Sequence, residues 1–330
     1  MGIKSLTKTI KTVSPESITH ENLYKLSGKR VAVDASLIIY QQLFNTPNGK
    51  LFKNSKGMVT NHITGVFYKI MNYISLNIEL IFVFDGKPPD NKSACIQERK
   101  EKSLKAKELS EKATTEEEKQ KYNKASIRVT KEMIDNVKQL LSLLGISYIQ
   151  PDGEGEAYAS ELCRIGYVDY VLTEDMDVMA YGCPKMIRRC IDSSIKRKDI
   201  ISVISYDKLI SDIDLEHTSF IDFCILCGCD YCPIIPKVGP VTALKLIRKY
   251  GTIEDILKST NYNVPENYVE MFQKAKENFL LFRDKVTVET IPIHTSEASV
   301  EGIESFLIND IEMNEKRVRN ALKKFHNKYK

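Results

Sequence analysis

The sequence predicts an α/β protein built on a mostly parallel central sheet with helices on both faces. A charged helical insertion and a helical C-terminal region are added to that core. Three apolar runs carry the argument. Arg30-Val31-Ala32-Val33 stops at Asp34, and Leu80-Ile81-Phe82-Val83-Phe84 stops at Asp85. Tyr170-Val171-Leu172 leads through Thr173-Glu174 to Asp175 and Asp177. Continuous β-branched and aromatic runs of this length read as strands buried on both faces. Ligands of open α/β sheets bind at the carboxyl ends of the strands. Asp34, Asp85, Asp175 and Asp177 are therefore expected on one rim, the candidate site.

Charge repulsion says what such a rim must hold. Two like charges about 4 Å apart repel by roughly 4 kcal/mol at an effective dielectric near 20. Several ionised carboxylates share that space only when a cation neutralises them. An all-oxygen donor set without His or Cys favours Mg²⁺ or Mn²⁺ over zinc. Any one Asp taken alone is better explained as the cap of the following helix. Three strand ends plus the acid pair Glu154 and Glu156 point to metal instead.

At 330 residues the length prior is about two domains. A composition of 42% hydrophobic and 28% charged residues is that of a soluble globular protein. Net charge is +4, and pooling acids in one site leaves a larger positive excess elsewhere, which suits a polyanion partner. No run reaches the roughly 18–20 apolar residues of a membrane span. The N-terminus lacks the apolar core of a signal peptide, and Leu6 breaks the myristoylation pattern begun by Met1-Gly2. An intracellular protein with reduced thiols is expected. Cys224, Cys227, Cys229 and Cys232 crowd into nine residues. Zinc pairs are normally separated by a loop, whereas Phe220-Ile221 and Cys224-Ile225 fit the buried face of a helix, so core thiols are expected.

In chain order, residues 1–95 form the first part of the core. An amphipathic start and a loop lead to the Asp34 strand, and Asp34-Ala-Ser-Leu-Ile-Ile-Tyr40 opens a helix. Asn45, Pro47, Asn48, Gly49 and Gly57 mark a turn-rich stretch. A periodic helix through Phe67, Ile70, Met71 and Ile74 precedes the Asp85 strand. Residues 96–129 form an exposed helical insertion of Glu, Lys, Ala, Gln and Ser, with Leu104 and Leu109 as its apolar anchors. Lys92 and Arg99, seven apart, are expected on one helix face. Residues 130–232 resume the core with a helix through Met133, Val137, Leu140, Leu141 and Leu144. A short strand at 146–149, a helix opened by Glu154 and Glu156, and strands at Met186-Ile187 and Ile200–Ile204 follow. Residues 233–330 read as helical. There, Ile235-Pro-Lys237-Val238-Gly239-Pro240-Val-Thr-Ala243 joins two helices through a glycine turn. Its amides can face a phosphate, with Lys237, Lys245, Arg248 and Lys249 beside it.

These residues in this order resemble the flap endonuclease family of structure-specific 5′ nucleases. The matching runs are Met1-Gly2-Ile3, Val33-Asp34-Ala-Ser, Phe82-Val-Phe-Asp85-Gly-Lys-Pro-Pro and Glu154-Gly-Glu156-Ala. Thr173-Glu-Asp175-Met-Asp177, Gly228-Cys-Asp230-Tyr231 and Val238-Gly239-Pro240 continue them. The resemblance implies seven metal-binding acids: Asp34, Asp85, Glu154, Glu156, Asp175, Asp177 and Asp230. It implies that Lys92 and Arg99 steady the scissile phosphate and that Tyr40 stacks on a base near the cut. The charged insertion is similar to the family's helical arch, which passes a single-stranded 5′ flap. The Gly239 hairpin is similar to its helix-hairpin-helix-type duplex-binding element, where K⁺ helps grip a phosphate. Two Mg²⁺ ions, replaceable by Mn²⁺, DNA junctions as substrate, a monomer, and work in the nucleus in replication and repair are implied too.

The sequence departs from the family pattern at two places. The family's short acidic run, associated with a one-nucleotide 3′ flap, is replaced by Asn54-Ser55-Lys56-Gly57-Met58. The C-terminal sliding-clamp box is absent, and the chain ends in the basic stretch Lys323-Lys324-Phe-His-Asn-Lys328. The expected activity is Mg²⁺-dependent 5′ flap cleavage with 5′–3′ exonuclease action. A superfamily exonuclease or gap and bubble endonuclease is the near alternative. A non-catalytic junction binder is disfavoured by retention of all seven acids, and a metal-dependent phosphatase leaves the hairpin and insertion without purpose. Since Lys56 reverses the local charge, initial rates at one stated salt concentration should differ little between a plain 5′ flap and a double flap. A strong double-flap preference would refute this.

Overall fold

The computed structural model describes residues 2–44 and 51–329, so the expected turn residues Asn45, Pro47, Asn48 and Gly49 lie outside the described residues. Helix α1 (Leu6–Val13) is followed by strands β1 (Ile18–Asn22) and β2 (Arg30–Asp34) and helix α2 (Ala35–Phe44). Then come α3 (Asn61–Ser75), β3 (Glu79–Val83), α4 (Ser93–Lys112), α5 (Glu116–Ser126), α6 (Lys131–Leu143) and β4 (Tyr148–Ile149). The next stretch holds α7 (Gly155–Arg164), β5 (Tyr170–Leu172), α8 (Asp177–Ala180), β6 (Lys185–Arg189) and β7 (Ile200–Ser205). It continues with α9 (Tyr206–Ile213), α10 (His217–Cys227), α11 (Pro240–Tyr250), α12 (Ile253–Ser259) and α13 (Tyr268–Phe279). Strand β8 (Ile293–His294), α14 (Val300–Glu304) and α15 (Glu315–Tyr329) complete the chain. The eight strands and their helices make a mixed α/β protein.

Two compact units divide these elements. The first comprises Met1–Lys25, Asp85–Cys95 and Pro151–Ile291, with strand order β1-β7-β6-β5. Strand β5 pairs in parallel with β6, bringing Val171 beside Met186 and Leu172 beside Ile187, all four buried. Antiparallel pairing is left to β6–β7 and to the edge strand β1. Sequence reading missed β1, taking this stretch as loop. Its Thr19, His20 and Glu21 carry no apolar signal, and it forms through backbone pairing to β7, with Ile18 opposite Ile204.

The second unit comprises Leu26–Phe84, Ile96–Gln150 and Pro292–Lys330, with strand order β2-β3-β4-β8. Parallel β2–β3 pairing runs from Arg30 opposite Glu79 to Asp34 opposite Val83, and an Arg30–Glu79 ion pair of 2.8 Å marks the amino ends. Val31, Ala32, Val33, Leu80, Ile81 and Phe82 are buried, as expected for strands covered on both faces. The two-residue β8, antiparallel to β4, was also missed by a reading that made the C-terminal region wholly helical. In α6, Val137, Leu140 and Leu141 are buried, and Thr130 caps the helix by accepting from the Met133 amide at 3.2 Å.

The charged insertion is helical, but Leu104 and Leu109 do not anchor it: they are 52% and 46% exposed. The buried positions of α4 are Ser103, Ala106 and Ser110, which share one face at helical spacing. Ser103 Oγ donates to the Ser126 carbonyl at 2.9 Å and Ser110 Oγ to Asn123 Oδ1 at 2.6 Å. Small side chains and hydroxyl hydrogen bonds thus close α4 onto the end of α5. Lys92 also departs from expectation. It lies in a 3₁₀ turn (Asp90–Lys92) just before α4, whereas Arg99 lies exposed on α4 itself.

Among the described residues, His62 is buried and His217 half-buried, and both cost stability in acid. Neither ring nitrogen of His62 finds a hydrogen-bond partner, and His217 Nδ1 faces Tyr206 Oη at 2.5 Å while its Nε2 is unpartnered. Burial lowers both from 6.5 to about 4, with Arg283 and Arg164 adding to the effect at His217. A folded pKa below the unfolded one means that the unfolded chain binds the extra proton. The stability from keeping each ring neutral is therefore present above pH 6.5 and lost as pH falls towards 4. It amounts to at most about 3 kcal/mol per histidine. Stability from urea unfolding should drop between pH 6.5 and 4, and His62→Phe should flatten the drop. An unchanged slope in that variant would contradict the assignment.

Candidate functional site

The first unit collects six of the seven predicted acids. Gly86 lets the chain after the Asp85 strand lie against the loop before α7: its amide donates to the Gly153 carbonyl at 2.7 Å. A Cβ on Gly86 would fall 2.7 Å from Gly153 N and closer still to the Pro151 carbonyl. This approach lets Asp85 Oδ1 accept from the Gly155 amide at 2.9 Å, at the start of the helix that carries Glu154 and Glu156. After β5 the chain turns tightly. The Asp175 amide donates to Thr173 Oγ1 and the Asp177 amide to Asp175 Oδ1, each at 3.1 Å. One ligand oxygen from each of Glu156, Asp175 and Asp177 then lies within 4.8 Å of the other two. Gly2 packs over them: with φ +76, a Cβ there would come within 2.5 Å of Asp177 Oδ1 and closer to Asp175 Oδ1.

The cluster is poorly solvated. Asp177 is 1% exposed, and its Oδ1 is buried without a hydrogen-bond partner. Burial, then the neighbouring Asp175 and Asp230 charges, push the Asp177 carboxyl well above its ordinary range. Burial likewise raises Asp175. Glu154 is raised by burial against the opposing pull of Lys92. Clustered acceptor-only oxygens with an orphaned lone pair fit a hard divalent cation, which removes the repulsion and takes up that oxygen. Lys92 Nζ lies 2.6 Å from Glu154 Oε2 and 3.8 Å from Asp230 Oδ2. Burial works against its charge, but Glu156, Glu154 and Asp230 together hold the ammonium protonated.

The remaining predicted residues divide. Asp34 ends β2 in the second unit and caps α2, accepting from the Leu37 amide at 2.9 Å. Tyr40 is 38% exposed on α2, its ring centroid 4.5 Å from that of Phe44. In the α11 hairpin, Lys237 and not Gly239 adopts the left-handed conformation, with φ 68. Gly239 is extended, and a Cβ there would meet nothing within 4 Å. Ala243 is buried, as close helix packing requires. Lys245 and Arg248 are exposed, and Arg248 Nη2 donates to the Ile213 carbonyl at 3.0 Å. Cys224 and Cys227 lie on the buried side of α10, and burial pushes the Cys229 and Cys232 thiols up to about 12.

Three features escaped sequence reading. Nothing local in the sequence marks Gly2 as lying against carboxylates. Cys95 Sγ donates to Asp230 Oδ1 at 3.5 Å, a contact that no spacing rule announces. Asp310 lies 3.9 Å from Lys56, and Glu312 accepts from the Ser55 amide at 2.9 Å. The lost acidity of residues 54–58 is thus partly restored by acids from a distant stretch.

The burial of Asp177 beside other acids has a measurable consequence. Asp177→Asn should stabilise metal-free protein by about 1–2 kcal/mol, by relieving the cost of a buried carboxyl beside other acids, and so raise its melting temperature. The same substitution should abolish the rise in melting temperature that Mg²⁺ or Mn²⁺ produces by binding the folded state. Thermal melts with and without metal test both, and an undiminished metal response in the variant would remove Asp177 from the ligand set.

Comparison with known proteins agrees with this geometry. Residues 1–106 match the XPG N-terminal domain and residues 145–230 the XPG I-region. Flap endonuclease 1 of Glycine max is 36% identical over 98% of this chain and 86% of its own length. That of Debaryomyces hansenii is 34% identical over 98% of this chain and 88% of its own. Among solved structures, flap endonuclease-1 from Methanococcus jannaschii superposes with a TM-score of 0.72 at 30% identity, covering 94% of this chain and 96% of that one. The chain therefore belongs to the flap endonuclease family of the Rad2/XPG superfamily.

Proposed function

We propose that this protein is a structure-specific 5′ flap endonuclease with 5′–3′ exonuclease activity, hydrolysing DNA at single-strand/duplex junctions during replication and repair in the nucleus. The observation that carries the proposal is the convergence of Glu156, Asp175 and Asp177, with the orphaned Asp177 oxygen, in a chain of this family. Asp85, Glu154, Glu156, Asp175, Asp177 and Asp230 hold two Mg²⁺ ions, with Mn²⁺ as a substitute, and Asp34 takes the same assignment from the resemblance alone. Two divalent ions would supply Lewis acidity, activating water for attack and stabilising the leaving oxygen.

The rest of the work falls to side chains. Lys92 and Arg99 meet negative charge that grows on the scissile phosphate in the transition state. Tyr40 offers a half-exposed ring for stacking on a base near the cut. Residues 96–129 act as the arch that admits a single-stranded 5′ end. Open space beside Gly239 lets a duplex phosphate approach the turn before α11, with Lys237, Lys245 and Arg248 nearby and K⁺ as an aid. The protein works as a monomer.

Cleavage of 5′-flap, double-flap, nicked, gapped and bubble DNA with Mg²⁺ tests the assignment. Flap substrates should be cut most efficiently, and preferential cutting of gaps or bubbles would favour the alternative enzyme. Asp177→Ala and Asp85→Ala should abolish cutting while duplex binding persists. Lys92→Ala or Arg99→Ala should slow single-turnover cleavage by about 10²-fold or more with little change in affinity. Unchanged rates would make the latter two ordinary solvated cations.

A further inference from the structure

Lys92 is paired with an acid assigned above to the metal. The ammonium sits 2.6 Å from Glu154 Oε2 and 3.8 Å from Asp230 Oδ2, and 5.6 Å from the centroid of the Tyr231 ring. Its side chain is only 12% exposed, so water screens the pairing little. Glu154 is itself buried, with Asp85 and Asp230 as its like-charged neighbours. A hard divalent ion needs carboxylate oxygen at about 2.0–2.1 Å for Mg²⁺. A divalent and a monovalent cation about 4 Å apart repel by roughly 8 kcal/mol at an effective dielectric near 20. Glu154 and Asp230 therefore cannot serve both cations fully.

We propose that Lys92 is an internal counter-ion that competes with the divalent metal for Glu154 and Asp230. The proposal rests on the metal-dependent nuclease reading above. Without a divalent ion, the ammonium limits the repulsion among Glu154, Glu156 and Asp230. Metal entry displaces it, and the released cation becomes available to a phosphate. Lys92 lies in the 3₁₀ turn (Asp90–Lys92) before α4, its amide donating to the Pro89 carbonyl at 3.0 Å, so rotation about its own side-chain bonds re-aims the ammonium without unwinding α4. Metal occupancy and presentation of the cation are thereby linked.

Mn²⁺ binding, followed by loss of the free-ion electron paramagnetic resonance signal, gives a readout independent of cleavage. Lys92→Met should tighten Mn²⁺ binding about fivefold or more, because a competitor is lost. Lys87→Met, which removes an exposed charge beside Asp85, should change it far less. Equal tightening in both variants, or none in Lys92→Met, overturns the proposal. Wild-type protein provides a second test that does not depend on a variant folding. Reductive methylation mapped by mass spectrometry should label Lys92 slowly in chelator and about threefold faster or more with Mg²⁺, once the ammonium is released. Unchanged labelling with bound metal also overturns it. Failure of these tests in an enzyme that cuts flaps sinks the competition alone. Absence of both Mn²⁺ binding and cutting sinks the nuclease reading with it.

Discussion

Repulsion among buried carboxylates is the constraint on which the first unit is organised. Folding must bring Glu156, Asp175 and Asp177 within 4.8 Å of one another, and Asp177 loses its water in doing so. Such a cluster works against the fold unless something else holds the chain in place. The neighbouring architecture does this with backbone: Gly86 docked on the Gly153 loop, the Gly155 amide on Asp85, and the Thr173 hydroxyl closing the turn after β5. These contacts have little side-chain freedom, which suits a site that must keep its shape while its net charge changes.

How much of this was legible in the sequence follows from what each feature depends on. Parallel strands buried on both faces write themselves as unbroken apolar runs, so β2, β3 and β5, and the acids that end them, could be read directly. Edge strand β1 depends on its neighbour's backbone and leaves no such trace. The closure of α4 on α5 was misread for a related reason. Hydrophobic periodicity directs attention to Leu104 and Leu109, whereas hydroxyl groups at Ser103 and Ser110 make the contact. Glu312 reaches Ser55 from 257 residues away along the chain, beyond any local pattern.

A hairpin joined through hydroxyls rather than a leucine seam also has a physical character of its own. Ser103 and Ser110 can exchange their protein acceptors for water at small net loss, whereas separating apolar side chains forfeits their burial. The α4–α5 pair is therefore an element whose opening costs little, consistent with the passage of a strand that we assign to it.

Arg248 carries a different consequence. Its guanidinium donates through Nε and Nη2 to the Ile213 carbonyl, and the other cations named beside α11 are lysines. An ammonium on a flexible stem acts as a point charge and lacks the planar fork that locks arginine onto one phosphate. The duplex grip we propose there is therefore tolerant of rotational phase: neighbouring phosphates are nearly equivalent to it, and small advances along the helix cost little. On that proposal the protein would shift by a nucleotide while held on the duplex, and the position of the strand end would fix where the backbone is cut.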